Sequence, residues 1–396
     1  MTWVRRVLNW SMPWLIAAAV LAPLQVAAQQ QPSAEPVLRV ETGMHTTKIT
    51  RAVTDAAGRV LATASYDKTV RLWSLDTGEL IRVLRPPIGS GDEGKLYAVA
   101  MSPDGRFVST GGWTGAEWEN AYSIYVFEAS SGRMVHRIGG LPLRICHLAW
   151  SPDGSFLVAT LKGANGIRVY RTSYWEEVAR DTGYEHDSYG ASFDQSGRLA
   201  TGAFDGYLRV YDQQFRRIKK IKTPGGAQPF SVAFSTDGAR LAVGYEDTTN
   251  VDVFSVPALR PVFSADTSGL SKGNLHTVAW AADGALLAGR GLYGFPDFPV
   301  FRWPEGGRGN RQELAAAGDT VMSIVPLADG GFVYASYDPA FGAYNPELRR
   351  RIDRHPEIID FRDQLKALRL SGDGARVAFG LEYGGRSPAG RFVRSR

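Results

Sequence analysis

Ser102-Pro103-Asp104-Gly105 and Ser151-Pro152-Asp153-Gly154 are the stretches whose reading decides the fold. Each stands between short runs of strand character, residues 98–101 and 107–110 around the first. Asp-Gly between such runs marks a tight hairpin, because glycine takes the positive φ of the turn without steric cost. Working outward, a turn glycine recurs at Gly58, Gly197, Gly238, Gly284, Gly330 and Gly374, so the spacings along the chain run 47, 49, 43, 41, 46, 46 and 44 residues. Eight units at this period predict a repeat architecture, in which each unit is one small sheet that buries its apolar face only against a neighbour.

Beyond each hairpin comes a further strand that ends in an aromatic. The instances are Val70-Arg71-Leu72-Trp73, Tyr125-Val126-Phe127, Ile167-Arg168-Val169-Tyr170, Leu208-Arg209-Val210-Tyr211, Val251-Asp252-Val253-Phe254 and Val300-Phe301-Arg302-Trp303. A ring at one fixed repeat position reads as a core pin that packs each sheet on the next.

The chain resembles the WD-repeat β-propeller family. The first unit carries the fullest match, with His45, Ser65, Asp67 and Trp73 standing where that family places a buried hydrogen-bonded tetrad. The resemblance implies an all-β propeller of four-stranded antiparallel blades and a structural role for these four residues. A Ser-His-Asp reading of them is set aside, since the hydroxyl would be held by indole and imidazole rather than offered to a substrate. The units are expected near residues 45–85, 96–137, 145–180, 188–222, 229–263, 275–313, 320–353 and 366–396. Eight blades are expected, with seven as the alternative; residues 37–41 would complete the last sheet as its outermost strand.

The N-terminus has the pattern of an export signal. Arg5 and Arg6 precede an apolar run from Trp14 to Leu24, and Val26-Ala27-Ala28 supplies small residues at a cleavage position. The apolar run is shorter than the roughly 20 residues a spanning helix needs. Cleavage after Ala28 would leave residues 29–396 as a periplasmic or secreted propeller without stable membrane insertion. Cys146 is the only cysteine, so no internal disulfide forms and stability rests on packing. The formal net charge of +5 is modest and the basic residues are scattered, which argues against nucleic acid as a partner.

Four-stranded blades send alternate loops to opposite faces of a propeller, so the Asp-Gly turns share one face. The loops between blades and between second and third strands share the other. Insertions fall on that second face and carry Trp113, Glu117, Trp118, Tyr184, His186, Tyr189, Tyr293, Phe295 and Phe298. Aromatic loops on a rigid scaffold favour recognition, because rings offer large contact area at small entropic cost. These nine residues are the candidate surface for a protein or peptide partner, on a chain expected to be a monomer.

No catalytic, metal or cofactor site is expected. Cys146 and His147 are adjacent on a strand and therefore point to opposite faces. His186 beside Glu185 and Asp187 lacks a second spaced ligand group. The expected channel positions, 98–100, 148–149, 232–233 and 278–279, are small or apolar. The competing class is a propeller hydrolase or oxidoreductase. A further resemblance, carried by residues 63–73, is to exported bacterial WD-repeat proteins, some of which continue into a caspase-like peptidase domain. No nucleophile segment of that domain is present, so the chain would serve there as a recruiting module.

Overall fold

The strands of this chain form where short runs of small, β-branched and aromatic residues are cut by glycine turns. In the computed structural model the residues described are 43–270, 272–292, 297–356, 365–370 and 377–381. Contacts divide the chain into residues 1–37 and 38–396, and all described residues lie in the second unit.

Among the described residues, seven four-stranded antiparallel sheets follow one another, spanning 49–84, 96–141, 145–181, 188–222, 229–264, 274–317 and 321–354. They are blades 1 to 7 here. Within each blade the strand order is the chain order; blades 5 and 6 share one extra pairing, Tyr245 opposite Leu275. The first strand of every blade packs on the first strand of the next, and that of blade 1 (Ile49–Thr54) packs on that of blade 7 (Val321–Pro326). These first strands line a central channel.

The turns behave as their sequence requires. Gly105 and Gly154 both adopt φ of +74°. Ser102 Oγ donates to Asp104 Oδ1 at 2.5 Å and accepts from the Phe107 N–H at 2.8 Å, and Ser151 repeats the arrangement with Asp153 and Phe156. Burial then sorts the strands. The second strand of blade 1 (Val60–Ser65) is almost wholly buried, whereas the outermost strands of blades 3 and 4 (Glu176–Asp181 and Arg217–Lys222) are charged and mostly exposed. Charged side chains on an outer strand discourage pairing with other chains at that edge.

The core lies between blades rather than within them. One apolar cluster joins each consecutive pair, and another joins blade 7 to blade 1 through Leu61, Trp73, Val333 and Phe341. Trp73 and Phe341 rings lie 4.8 Å apart. The third-strand aromatics Trp73, Phe127, Tyr170, Tyr211, Phe254 and Trp303 are all buried, and Tyr344 holds the equivalent place in blade 7.

The last of the eight expected units lies only in part among the described residues. Its described part is a two-stranded sheet, Leu365–Leu370 with Val377–Leu381. The Gly374 turn lies outside the described residues, and the first strand of blade 7 packs directly on that of blade 1. The expected outer strand at residues 37–41 lies outside the described residues.

Candidate binding face and central channel

Blade 1 contains the expected buried network with one residue changed. His45 Nδ1 lies 2.8 Å from Asp67 Oδ2, and His45 Nε2 lies 2.7 Å from Thr63 Oγ1. Trp73 Nε1 donates to the same Thr63 oxygen at 2.8 Å. Thr63, not Ser65, is the hydroxyl of the tetrad. Trp73 pairs with Leu61, and residues two apart share a face, so the indole reaches the next rung at Thr63 and stops short of Ser65. Ser65 instead donates to Thr47 O at 2.8 Å and accepts from the Asp67 N–H, which closes the adjoining turn. Burial alone would raise the Asp67 carboxyl, but His45 and Thr69 beside it hold it below its ordinary value.

Blade 4 rebuilds this network with tyrosines. Tyr184 occupies the place of His45, and its hydroxyl meets Thr201 Oγ1 at 2.6 Å and Tyr211 OH at 2.9 Å. The Arg209 guanidinium stacks 3.8 Å from the Tyr184 ring centre and forks onto Asp205 at 2.5 and 3.1 Å. Both side chains of that ion pair are fully buried.

Three proposed contact residues are therefore interior. Tyr184 is consumed by the tetrad, and Tyr189 and Phe298 are buried among neighbouring rings and blades. Trp113 is half-buried. Trp118 is 46% exposed, within the short 3-10 turn Glu117–Glu119 that Glu117 opens. The His186 side chain is 58% exposed. Tyr293 and Phe295 lie outside the described residues.

What sequence reasoning missed is a bulge repeated in the first strand of every blade. In blade 1, Ile49 opposes Ser65 while Arg51 opposes Ala64, so Thr50 is left unmatched. The same slip leaves Tyr97, Cys146, Tyr189, Phe230 and Met322 unmatched in blades 2, 3, 4, 5 and 7, and Leu275 with His276 in blade 6. A bulge re-aims the extra side chain. Tyr97, Cys146, Tyr189, Phe230 and Met322 form one buried cluster that plugs the channel towards the loop face.

Above this plug stands the residue that follows the second strand of each blade: Tyr66, Trp113, Lys162, Phe204, Glu246, Leu292 and Tyr337. Tyr66, Trp113, Phe204 and Tyr337 are half-buried and pack on the plug; Lys162 and Leu292 are exposed. Ring contacts run continuously, with Tyr66 to Trp113 at 5.6 Å, Trp113 to Tyr97 at 6.1 Å, Tyr97 to Tyr189 at 5.7 Å and Tyr189 to Phe204 at 4.6 Å. Arg144 lies 4.3 Å over Trp113 and 4.6 Å over Tyr97 and donates to Tyr189 OH at 2.7 Å; Tyr189 OH in turn donates to Asp187 at 3.0 Å. At the same mouth, burial with the charge of Asp247 pushes the Glu246 carboxyl up to about 7.

The channel is also less apolar than expected, although the expected Val232, Ala233, Val278 and Ala279 do line it. Beneath the plug a cavity of about 270 Å³ is bounded by Arg51, His147, Ser231, Thr277 and Ser323 as well as alanine and valine. Cys146 belongs to the plug and His147 to this cavity, so they do not act on each other. Burial pushes the Cys146 thiol up to about 11, which leaves it protonated at neutral pH. Among the described residues no three His, Cys, Asp or Glu side chains are grouped to hold a metal, and no helix is long and apolar enough to cross a membrane.

The repeat is recognisable in known proteins. The WD40 family, described as WD domain, G-beta repeat, matches residues 39–74 and 78–116, which include the whole blade 1 tetrad. The chain carries WD40 repeats. The chain is 26% identical over 255 residues to Telomerase protein component 1 of Mus musculus, covering 63% of the chain and 9% of that protein. It is 30% identical over 166 residues to WD repeat-containing protein SL1-17 of Schistosoma mansoni, covering 41% of the chain and 50% of that protein. Pre-mRNA-processing factor 19 homolog 2 of Arabidopsis thaliana is 25% identical over 235 residues, 56% of the chain and 40% of that protein. The chain thus spans half or less of the length of each of these relatives.

Proposed function

We propose that this WD40 chain is an exported, non-enzymatic scaffold that binds a protein or peptide partner across the channel mouth of a seven-bladed ring. One observation carries the reading. Four blades offer an aromatic at the same position, directly after the second strand, and each is half-exposed above a buried layer. Tyr66, Trp113, Phe204 and Tyr337 surround the mouth, with Lys162 and Glu246 as charged neighbours that orient a partner. The loop residues Trp118 and His186 extend the same face outward. Rings fixed from below lose little freedom on binding, so their contact area converts efficiently into affinity. Export rests on Arg5, Arg6, the apolar run and the small residues before Gln29. Seven blades are supported by the direct packing of the first strand of blade 1 on that of blade 7.

The test is a displayed-peptide selection against the full chain. Enriched peptides should bind the wild type and lose about tenfold or more in affinity to Trp113→Ala/Phe204→Ala, a hot-spot-sized effect. A variant that folds by circular dichroism and binds every enriched peptide as the wild type does refutes the mouth as the site.

A further inference from the structure

We propose that the cavity beneath the plug is a binding site for a small oxyanion, a carboxylate or phosphate group held by Arg51. Arg51 leaves the first strand of blade 1 and crosses the channel, donating from Nη2 to Tyr189 O at 3.1 Å in blade 4 and from Nη1 to Met322 O at 3.4 Å in blade 7. Its residue is only 5% exposed, and its ring neighbour is Phe230 at 5.0 Å. No described carboxylate lies within ion-pair distance of it, and its Nε is buried without a hydrogen-bond partner. A guanidinium carries five N–H donors, so three remain after the two carbonyl bonds. A buried cation without a counter-charge is costly, and an anion in the adjoining cavity supplies one.

The rest of the lining offers donors too. Ser323 Oγ accepts from the Ala52 N–H at 3.0 Å and Ser231 Oγ from the Val278 N–H at 3.4 Å, which leaves each O–H to donate. His147 Nδ1 is buried without a partner. These groups come from blades 1, 3, 5 and 7 and surround one cavity of about 270 Å³, ample for a small dicarboxylate or an inorganic phosphate. The lining continues to Phe234, Trp280 and Pro326, the last residues before the turns, so the site belongs to the Asp-Gly face. It is separated by the plug from the mouth proposed above and stands independently of that proposal.

Isothermal titration of the full chain with inorganic phosphate and, separately, with succinate in a low-chloride buffer tests the site. At least one titrant should bind at one site per chain with a Kd below about 1 mM. A phosphate-only response assigns the phosphoryl class and a succinate-only response the carboxylate class. Arg51→Met should weaken binding about tenfold or more, the scale of a charged hydrogen bond, while the exposed Tyr174→Ala, outside the lining, leaves it unchanged. If Arg51→Met does not fold, Ser323→Ala replaces it, with a loss of about threefold. Absence of saturable heat with both titrants, or equal affinity in the folded variant and the wild type, overturns the proposal.

Discussion

Replacing Thr63 with valine tests which hydroxyl holds blade 1 together. Valine keeps the shape of threonine but removes the Oγ1 that serves both His45 Nε2 at 2.7 Å and Trp73 Nε1 at 2.8 Å. His45 is fully buried and Trp73 nearly so, which leaves no water to take over. A buried polar group left unpaired costs about 1–3 kcal/mol, so two in one network place Thr63→Val at about 3 kcal/mol or more. Thr63→Ser keeps the hydroxyl and loses one buried methyl, at about 1 kcal/mol. Ser65→Ala loses its bonds to Thr47 O and the Asp67 N–H at the edge of the turn, again about 1 kcal/mol. Urea unfolding followed by tryptophan fluorescence gives the three midpoints, and the order of loss should be Thr63→Val well above Ser65→Ala and Thr63→Ser. Equal losses for Thr63→Val and Ser65→Ala refute the assignment of Thr63 to the tetrad.

Two further outcomes follow from the interior of the ring. Arg209→Met strands the Asp205 carboxylate, whose side chain is fully buried, and should cost about 3–5 kcal/mol, while Arg209→Met/Asp205→Leu recovers much of that loss; a small effect of the single variant in urea unfolding counts against the buried pair. Glu246→Gln should flatten the pH profile of stability. Burial raises the folded carboxyl from an ordinary 4.5 to about 7, so the folded chain keeps a proton that the unfolded chain releases; that contribution is present at low pH and lost as pH rises through about 7. Denaturation midpoints measured across that window should fall with pH in the wild type more steeply than in the variant, and equal slopes contradict the shift.

The fold was legible because its signals are local. The glycine turns and third-strand aromatics act within a few residues, and each one among the described residues is a turn with positive φ or a buried pin. The site was less legible because it depends on register. Reading residues 98–100 as channel lining rests on residue size alone, whereas register decides: past the unmatched Tyr97, Ala98 and Ala100 pack towards blade 3 and Val99 towards blade 1. The same slip in every blade hid both the aromatic plug and the polar cavity below it. Ser65 failed for a related reason: it and Thr63 share a face, and only the rung opposite Trp73 decides between them. Tyr184 was misread because a tyrosine near a loop signals contact, while here it replaces a histidine inside a tetrad. A signal was nevertheless available, since Tyr66, Trp113, Phe204 and Tyr337 each follow a small-residue strand at one fixed position.

The bulge also explains how one repeat can keep a rigid scaffold and a variable surface. The unmatched residue is driven inward, where it packs against the corresponding residues of other blades and closes the channel. The residue after the second strand then stands on that closed layer instead of over an open hole. The upper position varies from blade to blade, through Tyr66, Trp113, Lys162, Phe204, Glu246 and Leu292, while the layer below holds the backbone in place. Because Arg51 ties blade 1 to blades 4 and 7 beneath that layer, the plug is anchored across the channel and not only around it. Mouth and cavity therefore lie on opposite sides of the plug, which stands between them as a shared wall.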